Sequence, residues 1–274
     1  MGKRLSEKEV ESYRKDGILF PIPVLDEAEV SRLAAAIEET ERSLGQRPQG
    51  QLAGQCHLHF AWARRLATNS KILDIVEDII GPDILAHSTT IFKKYPGEGT
   101  YVSWHQDGYY MNLDIPDLVS VWIAITDSDR DNGCLRVERG SHRKGILAHQ
   151  MTATSERNLL TSGIQLDSAV EESATMDVVL RAGDASLHHV NLVHGSDANY
   201  SAKARAGFAM RFVAPRVTQR SPHHPVVLAR GADRFGHFEL YAKPAEEDFS
   251  AAARQHIQFS EQLRARRMAS GRRA

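Results

Sequence analysis

Residues 84–108 read ILAHSTTIFKKYPGEGTYVSWHQDG, and the fold turns on how that stretch divides. Two runs rich in β-branched and aromatic residues, 84–95 and 100–105, are parted by Pro96-Gly97, a turn signal that breaks any helical period. The same punctuation recurs downstream. Segments 118–127, 134–138, 176–181, 184–190 and 205–214 read as further strands, separated by Asp-Asn-Gly, Arg-Gly-Ser and Ala-Gly-Asp turns. Such spacing predicts a mainly β protein with flanking helices, its core a double-stranded β-helix (jelly roll, cupin-like) over residues 84–215.

Upstream of that core the period is helical. Ser6 followed by Glu9 is a capping-box signature for a helix over 5–16, which Gly17 ends. ILFPIPVL then reads as an extended run interrupted by Pro21 and Pro23. Asp26 caps a second helix reaching Leu44, with Val30, Leu33, Ala34 and Ile37 at helical spacing. A third helix, 70–80, carries Ile72, Leu73, Ile75, Val76, Ile79 and Ile80 and stops at Gly81-Pro82. Residues 1–83 are therefore expected to buttress one sheet of a single domain spanning 1–274. Residues 143–175 make a long polar insert of the kind that forms lids or binding loops. Residues 216–274 form an extension with a helix over 245–267. Its basic tail, Arg264, Arg266, Arg267, Arg272 and Arg273, reads as a frayed, solvated terminus.

Thirty-four Lys and Arg against 35 Asp and Glu leave a formal charge of −1. The chain thus has no general field for nucleic acid or an anionic membrane. Charged residues at 25% and hydrophobic ones at 42% exclude a disordered or collagen-like chain. Cys56 and Cys134 lack any CxxC partner and are expected as reduced, buried thiols of a cytoplasmic enzyme. The polar N-terminus has no secretory apolar core, and no apolar run approaches the roughly 18 residues of a membrane span.

The chemistry concentrates at Trp104-His105-Gln106-Asp107-Gly108. Residues two apart on a strand share a face, so His105 and Asp107 would present an imidazole and a carboxylate together. Two histidines and one carboxylate on one face are the usual protein ligands of non-haem Fe(II), with positions left open for a co-substrate and O₂. A second histidine is available in 183–196, GDASLHHVNLVHGS. By alternation His188 and His194 fall on the same face, so spacing does not choose between them. Eleven residues beyond His194 lies Arg205, in RAGFAMRF, an apolar strand that also carries Arg211. Buried arginines need anionic partners. A guanidinium fork matches the distal carboxylate of 2-oxoglutarate, though a protein carboxylate or solvent would serve as well.

Taken together, these motifs resemble the phytanoyl-CoA dioxygenase family of Fe(II)/2-oxoglutarate oxygenases. The match runs through the helix at 72–83, His105-x-Asp107, Asn132-Gly133-Cys134-Leu135, Gly140-Ser141-His142, Gly183-Asp184 and His194-Gly195-Ser196. Asn199, Ser201 and Arg205 complete it, over roughly residues 5–215. Arg139 stands where the family commonly has proline, which affects a turn rather than the chemistry. The resemblance implies a jelly roll, a metal held by His105, Asp107 and His194, and 2-oxoglutarate gripped by Arg205. It implies Fe(II), 2-oxoglutarate and O₂ as cofactor and co-substrates, and a small-molecule substrate. Halogenating relatives replace the ligating carboxylate with a small residue, so Asp107 implies hydroxylation rather than halogenation, with desaturation or ring closure permitted by the same ligand set.

Other residues near these motifs are expected to contribute. Arg211, Lys93 (as an inward polar contact) and Trp122 (as a neighbour of the co-substrate or plain core) are candidates for the co-substrate pocket. Tyr109, Tyr110 and Met111 are either ordinary packing or part of a substrate wall. His142 is expected to be structural, His57 and His59 to sit on a strand, and His223 and His224 in a solvated loop. The same His₂Asp set suits a zinc hydrolase, and a jelly-roll binding protein without catalysis is a third reading. No GxGxxG, P-loop or GxSxG occurs, which argues against dinucleotide, phosphoryl-transfer and serine-hydrolase chemistry.

Overall fold

The computed structural model describes residues 2–111, 113–152, 155–160, 163–219 and 225–269. Local rules account for its first elements. Ser6 and Glu9 close a capping box on α1 (Glu7–Asp16), and Gly17 ends that helix at φ 77°. β1 (Ile18–Pro23) follows. Asp26 and Glu29 form the same reciprocal cap on α2 (Glu27–Leu44). Two short helices, α3 (Cys56–His59) and α4 (Ala61–Ala67), lead into α5 (Ser70–Ile80), capped by Asn69. The expectation of a strand at His57 and His59 is corrected here: Cys56-His57-Leu58-His59 is one buried helical turn.

Strands then dominate. β2 (Ile84–Lys94) and β3 (Val102–His105) flank the Pro96-Gly97 turn, and the short α6 (Asp107–Met111) follows directly. Next come β4 (Leu118–Ala124), β5 (Leu135–Glu138), β6 (His149–Met151), β7 (Ile164–Leu166) and β8 (Thr175–Val178). β9 (Asp184–His189), β10 (His194–Ser196), β11 (Arg205–Val213), β12 (Val227–Arg230) and α7 (Phe249–Ala269) complete the order. The named strands pair antiparallel. A six-stranded sheet, β1-β9-β4-β11-β2-β12, faces a four-stranded one, β3-β10-β5-β8, and β6-β7 forms a separate hairpin. This is the expected jelly-roll arrangement of two facing sheets with helices on one side.

Alternation along the strands builds two cores. Val119, Val121, Ile123, Ala185, Leu187, Phe208, Met210 and Phe212 face outward and pack on the helices through Leu33, Ile37, Ile72, Ile75 and Val76. Trp122, Ala124 and Ala209 face inward and meet Leu135, Val137, Val178 and Leu192 between the sheets. Burial on both faces explains why β4 and β11 read as nearly unbroken apolar runs.

The large sheet takes both edge strands from outside residues 84–215. β1 pairs with β9, its register interrupted between Leu19 and Ile22, where Pro21 has no N–H to donate. β12 closes the other edge against β2. The 143–175 insert holds the β6-β7 hairpin between two 3₁₀ turns. Arg264 and Arg266 lie on α7, while Arg272, Arg273, His223 and His224 fall outside the described residues. Among the described residues no helix is long and apolar enough to cross a membrane.

Candidate metal centre

β10 lies between β3 and β5, and its register sets His194 directly opposite His105. Their rings stand 4.1 Å apart. The chain crosses from the large sheet to the small one between β9 and β10, so His188 and His194 do not share a strand, contrary to the alternation argument. His188 stays on the large sheet opposite Ser120 and reaches the interior from that side. Asp107 also departs from expectation. β3 ends at His105, and Asp107 opens α6 rather than continuing the strand. The turn still brings its Oδ1 to 3.6 Å from His105 Nε2. His105, Asp107 and His194, all buried, offer ligand atoms within 4.8 Å of one another.

The surroundings orient each group for a cation. His105 Nδ1–H donates to Ser103 O at 2.9 Å, and His194 Nδ1–H donates to Leu192 O at 2.8 Å. Carbonyl acceptors fix the proton on Nδ1, which leaves each Nε2 lone pair free to ligate. Burial, with His105 and His188 adding to it, holds the His194 imidazole well below its ordinary range and therefore neutral. Asp107 Oδ2 accepts from Arg211 Nε at 2.7 Å and Ser120 Oγ at 3.0 Å. Its Oδ1 accepts from Arg211 Nη2 at 3.1 Å and from the Tyr110 hydroxyl. Burial alone would raise the carboxyl. Arg211 foremost, with His105 and His194, outweighs it and holds the group well below the usual carboxylate range. Two imidazoles that present Nε2 and an ionised carboxylate fit Fe(II), and by donor type alone Zn²⁺ too.

Arg211 was expected beside a co-substrate or substrate; its fork instead anchors Asp107. Arg205 is 2% exposed, and its Nε and Nη2 both donate to Gly133 O, at 3.1 and 3.0 Å. Its guanidinium lies 5.1 Å from the Trp122 ring. A Cβ on Gly207 would run into that indole, so glycine there makes room for Trp122. The expected inward Lys93 is corrected by one position. Lys93 turns to the helical side and pairs with Glu41 at 2.8 Å, whereas Lys94 is fully buried. Lys94 Nζ donates to Gly133 O at 2.9 Å and to Asp197 O.

Burial first, then the Arg205 charge, pushes Lys94 down to about 6, and burial lowers Arg205 to about 10. The hydrogen bonds described for both side chains go to carbonyl oxygens rather than carboxylates, with Asp197 acting on Lys94 only through its charge, and the buried Ser186 and Ser196 Oγ atoms lack hydrogen-bond partners. A buried guanidinium, a lysine amine that an incoming carboxylate would help to protonate, and unmet hydroxyls fit a buried carboxylate ligand.

Tyr109 stacks on His149, ring centroids 4.2 Å apart, and is exposed together with Tyr110, Ile146 and Met151. His149 Nε2 accepts from the Gln106 N–H at 3.1 Å, which ties this rim to the metal motif. Met111 belongs to the core. His142 joins Arg14 O across to α1 at 3.0 Å, the structural role expected. His57 binds Thr89 and Ala86 O, and His59 meets His256, all away from the metal trio. Lys94, Ser120 and His149 are the functional candidates that sequence reasoning missed. Only Lys94 carried a signal, as the neighbour of the lysine chosen.

Comparison with known proteins adds the lineage. The family profile for phytanoyl-CoA dioxygenase (PhyH) matches residues 13–207. A probable alpha-ketoglutarate-dependent hypophosphite dioxygenase of Stutzerimonas stutzeri is 29% identical over 145 residues, covering 53% of this chain and 50% of that protein. The peroxisomal phytanoyl-CoA dioxygenase of Homo sapiens is 33% identical over 153 residues, covering 54% and 45%. The chain thus matches about half the length of these curated relatives. The solved structure of the non-heme monooxygenase ThoJ, apo form, is 32% identical with a TM-score of 0.80, covering 95% of this chain and 97% of that one. With the profile running from within α1 to the start of β11 and taking in His105, Asp107, His194 and Arg205, the chain belongs to the phytanoyl-CoA dioxygenase family.

Proposed function

We propose that this chain is an Fe(II)- and 2-oxoglutarate-dependent dioxygenase that hydroxylates a C–H bond of a small molecule, releasing succinate and CO₂. One observation carries the reading. The same interior holds an oriented His105-Asp107-His194 trio and a buried Lys94-Arg205 pair whose described hydrogen bonds go to carbonyl oxygens and not to a carboxylate. A zinc hydrolase would need the trio and has no use for the pair.

Iron, when bound, supplies the oxygen chemistry, coupled to oxidative decarboxylation of the co-substrate. The chain's own residues do the rest. His105 and His194 present fixed lone pairs, and Arg211 keeps Asp107 charged and aimed. Arg205 and Lys94 hold the distal carboxylate beside Trp122, in an interior whose apolar walls exclude water. Tyr109 and Tyr110 form the rim over which the substrate enters, with His149 behind Tyr109. An intact Asp107 carboxylate fills the position that a halide would need, which favours hydroxylation. Cys56 and Cys134, unpaired and buried, accord with a cytoplasmic setting.

The test is 2-oxoglutarate turnover in the presence of a panel of small molecules, in chloride buffer. The wild type is expected to form succinate and an oxygenated product, and His105→Ala and His194→Ala to form neither above background. Full activity in either variant, or a chlorinated wild-type product, would overturn the assignment.

A further inference from the structure

On its inner face β9 carries two buried polar side chains between the metal trio and Arg205. His188 stands opposite Ser120, its ring 4.9 Å from that of His194. Ser186 stands opposite Trp122, the residue against which the Arg205 guanidinium lies. His188 is 4% exposed and Ser186 fully buried, yet His188 Nδ1 and Ser186 Oγ have no hydrogen-bond partner. Orphaned groups of this kind are costly, and an apolar pair would fill the same space without the cost. Residues two apart on a strand lie about 6.6–6.8 Å apart, roughly the length of a five-carbon diacid.

His188 is not one of the residues gathered into the metal-binding trio. An imidazole offers an N–H to donate, and its Nδ1 is the buried atom left without a partner. The neighbours that act on it are Asp107, Arg211, His105 and His189, together with the His194 ring. Asp107 is already supplied with donors from Arg211, Ser120 and Tyr110, and so has no need of His188. What His188 adjoins is the ring of the ligand His194.

We propose that His188 hydrogen-bonds the metal-proximal, 2-oxo acid end of the co-substrate, while Arg205 and Lys94 hold its other end. This rests on the reading of the chain as a 2-oxoglutarate-dependent enzyme. It makes His188 a specificity-determining residue: it separates a 2-oxo diacid from a plain diacid that fills the Arg205 end alone.

The experiment uses Ni(II)-loaded protein titrated calorimetrically with 2-oxoglutarate and, by competition, with succinate, which lacks the 2-oxo acid group. His188→Phe is expected to weaken 2-oxoglutarate about tenfold and to leave succinate within about twofold, the loss of one hydrogen bond to a charged group. His188→Gln, which keeps an N–H, is expected to recover most of that loss. Ni(II) affinity stays at the wild-type value in both variants. Unchanged 2-oxoglutarate affinity in His188→Phe would overturn the proposal, as would an equal loss for both acids or a loss of Ni(II) binding. A wild-type protein that binds 2-oxoglutarate no better than succinate would instead sink the oxygenase reading itself.

Discussion

Asp107 accepts from three side chains on three different elements, and Arg211 supplies two of its four bonds. A lysine at 211 would keep the charge but lose the fork that fixes both carboxylate oxygens. Arg211→Lys is therefore expected to weaken Fe(II) binding about 10- to 100-fold, the usual cost of disturbing a partner of a metal ligand. Anaerobic Fe(II) titration checks it, and an unchanged affinity would show that Asp107 needs no such anchor. At this scale the ligands were legible because His105 and Asp107 are close in sequence and the segment ending at His194 is locally distinctive. The partner of Arg211 was not, since the register that sets it beside Asp107 is a long-range property of β4 and β11. The confusion of Lys93 with Lys94 has the same root. Neighbouring strand residues face opposite ways, and a Lys-Lys pair carries nothing that sets the phase.

Helix starts were the most readable elements because their signals lie within four residues. The reciprocal bonds of Asp26 and Glu29, 2.7 and 2.8 Å, satisfy the free amides at the start of α2. Asp26→Ala removes one partner of that box and is expected to cost about 0.5–2 kcal/mol, with succinate formation unchanged. Urea unfolding measures the first part, and a loss of activity at unchanged stability would tie the cap to the site. Other elements depended on distant partners. β1 and β12 exist as strands because a sheet edge is there to receive them, and an extended run broken by prolines gave no hint of its mate. α3 is a single turn, too short for any period to show. The passage between β9 and β10 was hidden because Val190, Leu192 and Val193 keep the stretch mostly apolar, with no Gly or Pro to mark a turn, while the chain changes sheets.

The whole molecule carries a pH dependence separate from its chemistry. His59 and His256 meet where α3 packs on α7, their Nδ1 atoms 3.1 Å apart, and His256 Nε2–H donates to Leu52 O at 3.1 Å. Burial first, then His256, Arg64 and Lys243, pushes His59 down to about 3. Burial pushes His256 down to about 4, against the raising effect of Leu52 O. His189, also buried and lowered further by His142, is pushed down to about 4. In the unfolded chain each titrates near 6.5. Folding therefore excludes protons that the unfolded chain would take up. The sign follows: stability is fully present above about pH 6.5 and is lost as pH falls toward 4, because the unfolded state binds more protons in that window. The melting temperature is expected to be flat from pH 7 to 8 and to fall steadily below 6.5. Replacing both interface histidines, as His59→Asn with His256→Gln, should make that fall shallower without abolishing it, since His189 still contributes. Thermal melts of both proteins between pH 4.5 and 8 decide the matter. If the two lose stability in parallel, the acid sensitivity lies in other groups, and the α3–α7 histidines titrate no differently in the folded and unfolded chains.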